Sequence, residues 1–140
     1  MSEMEVKDTF EVEPLVDLFK VLADSTRLRI LMLLYQRELC VCEISDILDF
    51  SQPKVSRHIA RLRSSGLVKV SPHAQWYFYH LNRGGFSKGE NNVMLTDILQ
   101  NIQHAMDAGY YQELRADLDK LREKERKNDL CPREEYQSLN

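Results

Sequence analysis

Apolar residues recur along this chain with two periods, and the change from one to the other divides it. From Pro14 the spacing is helical. Leu15, Leu18, Phe19 and Leu22 fall on one side of a predicted first helix that ends near Ala23–Asp24. Asp24 or Ser25 caps the next, TRLRILMLLYQ. Its Leu28, Ile30, Leu31, Leu33 and Leu34 are too many for one stripe, so it is expected to be buried over much of its circumference. Leu39, Ile44, Ile47 and Leu48 predict a short helix against it, and Asp49-Phe50-Ser51 a tight connection. Ser51 is an N-cap, Pro53 suits a first turn and Gly66 is a left-handed stop. Between them Val55, Ile59 and Leu62 share one helical face. After Gly66 the period falls to two: LVKV and WYFYHL are β-rich runs separated by SPHAQ. In the second run Trp76, Phe78 and His80 alternate with Tyr77, Tyr79 and Leu81, so one set faces the core. Residues 83–92 read as a loop. From about Val93 a long helix follows, with Leu95, Ile98, Leu99, Ile102 and Met106 in one stripe; it runs on, kinked at Gly109, through Leu114, Leu118 and Leu121.

This pattern predicts a mainly α fold with a small β-hairpin (α+β). Two short helices joined by a brief turn make a helix-turn-helix, and the hairpin beside it is a wing. Residues 1–12 read as a flexible acidic arm, 13–107 as the winged helix-turn-helix domain with its dimerisation helices, and 108–140 as a helical extension with a mobile tail. The terminal helix carries more apolar surface than a helix-turn-helix core uses, which predicts a homodimer through it and the first helix.

Charge sharpens this reading. The net charge of −3 argues against nucleic acid until its distribution is seen: residues 51–89 hold seven Lys and Arg and no Asp or Glu, so the rest of the chain sums to −10. A concentrated basic patch on an acidic body attracts phosphate locally. The helix from Ser51 to Gly66 is apolar on one face and carries Gln52, Lys54, Ser56, Arg57, His58 and Arg61 on the other, which suits a major groove. His73 and Gln75, at the hairpin tip, are further candidates for contact with double-stranded DNA. No apolar run approaches the roughly 18 residues of a membrane span. The acidic N-terminal stretch has no apolar h-region, which predicts no secretory signal and a cytoplasmic protein. In that reducing compartment the three cysteines are thiols or ligands.

Four segments in order, LADSTRLRILMLL, ELCVCEIS, SQPKVSRHIARLRSSGLV and WYFYHL, resemble the ArsR/SmtB family of winged-helix metal-sensing repressors over about residues 14–107. ELCVCEIS most resembles the arsenical-resistance and the cadmium/lead sensors within it. The resemblance implies a homodimer that represses its own operon, needs no cofactor to bind DNA, and lets go when a metalloid, As(III) or Sb(III), binds. It implies that Gln52, Lys54, Ser56, Arg57 and His58 belong to the recognition helix, and that Cys40 and Cys42 are the thiolate pair. Ser45 stands where arsenite sensors of this type often carry a third cysteine. The Asp and His of the terminal helix (Asp97, His104, Asp107) lack the spacing of the zinc sensors.

Soft thiolates select soft ions. Residues two apart on a helix point about 200° apart, so Cys40 and Cys42 share one ion only if Cys40 lies at or before the cap or the first turn unwinds. Unwinding would misplace the recognition helix, and the helix N-terminus is expected to lower the thiol pKa. Pyramidal As(III) takes three sulfurs. Cys131, on the tail, is either the third ligand or a bystander, and a small thiol or water could stand in. The same fold could answer cadmium, lead or thiol oxidation instead. No His/Asp constellation or glycine-rich phosphate loop accompanies the cysteines, which points to a binding protein rather than an enzyme.

Overall fold

The computed structural model describes residues 11–83 and 90–132, the side chains of 90–92 excepted. The described residues form six helices and three strands. In chain order these are α1 (Glu13–Leu22), α2 (Ser25–Gln36), β1 (Leu39–Cys40), α3 (Val41–Leu48), α4 (Gln52–Ser64), β2 (Val68–His73), β3 (Trp76–Leu81), α5 (Glu90–Asp107) and α6 (Gln112–Arg126). Residues 1–10, most of the predicted arm, and 133–140 lie outside the described residues.

Helix α2 is the centre. Asp24 caps it, accepting the Arg27 N–H at 3.0 Å, and Ile30 to Leu34 are buried without interruption. Burial all round lets α1, α3, α4, α5 and α6 pack on it from different sides. Leu18 and Val21 are the residues by which α1 enters the core, while Phe19 is exposed. The inward face of α1 is therefore rotated from the predicted one.

The helix-turn-helix is α3, the turn at Asp49–Ser51, and α4. Asp49 reverses the chain in the left-handed region (φ 59°), and the Ser45 hydroxyl donates to the Phe50 carbonyl across the turn. The Ser51 hydroxyl accepts the Lys54 N–H at 3.3 Å, and Val55, Ile59 and Leu62 are buried. Each of these is worth about 1.5–3 kcal/mol relative to exposure, so the apolar face fixes which side of α4 faces out. Gly66 (φ 79°) ends α4: its N–H reaches the Arg63 carbonyl, and the Leu67 N–H reaches that of Leu62. That is the paired closure of a left-handed helix stop.

β2 and β3 form the expected hairpin, with Val68 opposite Leu81 and His73 opposite Trp76. Along β3 the buried residues are Phe78 and Leu81, not a strict alternate set. A third strand completes the sheet in the order β1-β3-β2, with Leu39 opposite Tyr79 and Cys40 opposite Phe78. Leu39 thus lies in a strand and not in the helix expected for it. The cap of α3 falls at Cys40, and the residue before a cap is extended and free to pair.

The single kinked terminal helix is two helices. The Gly109 N–H bonds the Met106 carbonyl and the Tyr110 N–H that of Ala105, so Gly109 (φ 99°) stops α5 where a kink was expected. α6 turns back onto α2 and α3, burying Leu114 and Leu121. Residues 128–132, part of the end read from its charge as mobile, continue this contact: Leu130 packs at the edge of the core.

Candidate metal centre and nucleic-acid interface

Cys40 is the N-cap of α3 and has extended backbone (φ −92°, ψ 168°). A residue outside the helix escapes the helical phase, and its sulfur swings over the first turn. Its Sγ lies 2.9 Å from that of Cys42, so the pair meets without any unwinding. Cys131, 91 residues from Cys40, comes to 3.4 Å from Cys40 Sγ and 3.6 Å from Cys42 Sγ. All three are free thiols: Cys40 buried, Cys131 half-buried and Cys42 exposed. They are the one group of three or more metal-ligating side chains drawn together among the described residues. Cys40, Cys42 and Cys131 would together hold one soft ion, and three sulfur donors suit a trivalent metalloid.

At Cys40 the expected lowering of the thiol pKa does not occur. Burial pushes the Cys40 thiol far up, helped by its contact with Cys42; the Glu43 N–H opposes this weakly. Burial likewise raises Cys131, to about 11. Desolvation outweighs the partial charge of the helix end, so both thiols are protonated at neutral pH.

Two features of the site were not anticipated. Glu43, buried, accepts the Cys40 N–H on Oε1 (2.9 Å) and the Cys131 N–H on Oε2 (2.8 Å). Cys40 to Glu43 is the N-cap to N3 spacing of a capping box, a legible signal for the first of these bonds. Lys124, from the last turn of α6, pairs with Asp46 of α3 and, at 3.5 Å, with Asp129. Together these hold the segment after α6 against α3.

On α4, Gln52, Ser56, Arg57 and Arg61 are exposed. Arg61 also donates to the Ser65 hydroxyl at 2.6 Å. Lys54 is half-buried, its ammonium 3.7 Å from the centre of the Phe50 ring. His58 is half-buried 4.0 Å from Asp24, and burial lowers its pKa, so it faces the cap of α2 more than solvent. At the hairpin tip Gln75 is exposed, and His73 packs edge-on against Phe78 at 5.2 Å. His104 is exposed, and Asp107 accepts from Gln103 at 3.0 Å.

A helix-turn-helix whose second helix turns a basic, hydrogen-bonding face outward, flanked by an antiparallel wing, defines a DNA-binding transcriptional regulator of the winged helix-turn-helix class. Residues 24–70 match the family described as "Bacterial regulatory protein, arsR family". The chain is 52% identical over 68 residues to the arsenical resistance operon repressor of Escherichia coli K12, an alignment covering 48% of this chain. It spans little more than half of that relative, 58% of its length. It is 36% identical over 85 residues to the arsenical resistance operon repressor of Staphylococcus aureus, covering 61% of this chain and 73% of that one. The crystal structure of the antimony-specific transcriptional repressor AntR superimposes with a TM-score of 0.54 at 28% identity, covering 69% of this chain and 84% of that chain. This chain belongs to the arsR family, whose members here are regulators of transcription and not enzymes.

Proposed function

We propose that this protein is a metalloid-responsive repressor that binds operator DNA as a homodimer and releases it when As(III) or Sb(III) is taken by Cys40, Cys42 and Cys131. The observation that carries the reading is the meeting of three sulfurs, two of them 89 and 91 residues from the third, at the cap of the first helix of the DNA-reading motif. Relatives named for arsenical resistance and an antimony-specific repressor agree with it.

Three converging sulfurs suit a metalloid. Arsenous acid carries three hydroxyls; each thiol proton leaves with one of them as water, and three As–S bonds form without oxidant or net charge. Cadmium or lead would have to expel the thiol protons, and three thiolates would leave a site of charge −1 beside the Glu43 carboxylate. Antimonous acid follows the arsenic stoichiometry.

Signal transfer needs no helix unwinding. Cys40 is at once the cap of α3 and the partner of Phe78 in the wing strand. A bond to its sulfur therefore acts on both parts of the reading head, α3 packing on α4 and Phe78 on the tip residue His73. For DNA contact the reading rests on Gln52, Ser56, Arg57, Arg61 and Gln75, with Lys54, His58 and His73 held closer to the protein's own side chains. Exposed Phe19, Val93 and Met94, on helices buried along their other faces, support pairing of α1 and α5 with a second copy.

Titrating the operator complex with arsenite, antimonite, cadmium and peroxide tests this. Release by arsenite or antimonite at the lowest concentration supports it; a complex that survives a metalloid-saturated protein overturns it. Release by peroxide alone would transfer the site to thiol oxidation.

A further inference from the structure

We infer that Glu43 is the positioning residue that gives the site its third sulfur, by holding the backbone of Cys131 against the cap of α3. The inference rests on the three-thiol reading above and goes beyond it, since nothing in that reading requires Glu43.

A Glu at the third position of a helix ordinarily turns one oxygen back to the capping residue. Oε1 of Glu43 does so, to the Cys40 N–H. Oε2 serves a different partner and accepts the N–H of Cys131, 88 residues away, at 2.8 Å. One buried carboxylate thus fixes the backbone of two of the three sulfur-bearing residues, with the third, Cys42, next to it in sequence. Both hydrogen bonds lie in a buried site where water competes little. The segment after α6 has other restraints, Lys124 with Asp46 and Leu130 on the core, but these act on side chains outside Cys131 or on neighbouring turns. Glu43 acts on the backbone of the ligand residue itself.

The consequence is a split between two kinds of arsenical. Arsenite takes three thiols. Phenylarsine oxide, with a phenyl group in place of one bond, takes two, and Cys40 and Cys42 supply them from the start of α3. Positioning of Cys131 therefore affects the first and not the second.

Glu43→Gln separates the two roles of the carboxylate. Glutamine caps helices from this position as glutamate does, so its oxygen keeps the Cys40 bond. Its amide group then faces the Cys131 N–H, donor against donor. The expected result is arsenite affinity lowered about tenfold, as for a buried donor left without its acceptor, with phenylarsine oxide affinity and operator binding unchanged. Equal arsenite affinity in Glu43→Gln and wild type overturns the inference. So does an equal loss for both arsenicals, which makes Glu43 a helix cap only. Cys131→Ser keeps the two proposals apart: if it leaves arsenite affinity untouched, the three-thiol reading itself fails. A second measurement needs no variant. In the wild-type protein the Cys131 amide should be protected from hydrogen exchange, and exchange at the unprotected rate overturns the inference.

Discussion

Arg29 of α2 grips Asp117 of α6 with two parallel hydrogen bonds, Nε to Oδ2 at 2.8 Å and Nη2 to Oδ1 at 2.9 Å. Asp117 is buried, and the same guanidinium lies 5.2 Å from the centre of the Phe50 ring in the turn of the DNA-reading motif. The C-terminal helix is thereby fastened to the core. The contact with Asp117 raises the Arg29 pKa, so the guanidinium stays charged at every accessible pH. Asp117→Ala leaves the guanidinium partly buried without its main partner. It should destabilise the protein by about 2 kcal/mol, below the figure for a fully buried pair because Arg29 keeps some solvent access. Urea unfolding measures this. Since α6 positions Cys131, arsenite affinity should fall in the same variant.

The three cysteines should behave unequally. Cys40→Ser and Cys42→Ser should leave operator affinity unchanged and abolish release by arsenite. Cys131→Ser should weaken arsenite binding while phenylarsine oxide still releases the operator. Gel-shift titrations of the three single variants check this. Loss of operator binding in Cys40→Ser would make the pair structural.

Arg57, exposed at the middle of α4, should contribute to DNA and not to the metalloid. Arg57→Ala is expected to weaken operator binding about tenfold at low salt, with a smaller loss at high salt if the contact is to phosphate. Arsenite affinity should not move. Binding isotherms at several salt concentrations give both slopes.

Alkaline pH probes the burial of the thiols. The Cys131 thiol is raised to about 11 from the ordinary value of 9.0. The unfolded chain then loses this proton first, so the thiol's contribution to stability is complete below about pH 9 and is lost as the pH climbs towards 11. Cys131→Ser should make that decline shallower. Urea midpoints of both proteins across this range decide it; identical declines would count against burial of Cys131.

Local signals made much of the fold legible. Ser51, Pro53, Val55, Ile59, Leu62 and Gly66 mark α4 because capping, helical period and left-handed stop all act within one or two turns. Where the chain was misread, the deciding partner is remote. Leu39 is extended because it pairs with Tyr79 across the sheet. Gly109 stops a helix where a kink was expected, because α6 beyond it packs on α2, whose Arg29 holds Asp117. In the site, the spacing of Cys40 and Cys42 announced a thiol pair. Cys131 stood as either third ligand or bystander, and the sequence could not decide between them, since its proximity depends on Glu43 and on the pairing of Lys124 with Asp46. The thiol pKa was misjudged for a related reason: the helix end is visible in the sequence, while the burial that outweighs it is tertiary.

The separation of 91 residues between Cys40 and Cys131 has a consequence for the newborn protein. As the chain leaves the ribosome, the parts that read DNA emerge complete long before the last sulfur does. On the function proposed above, a polypeptide that ends early, by nicking or a premature stop after α6, would keep its operator-reading parts and answer arsenite only weakly.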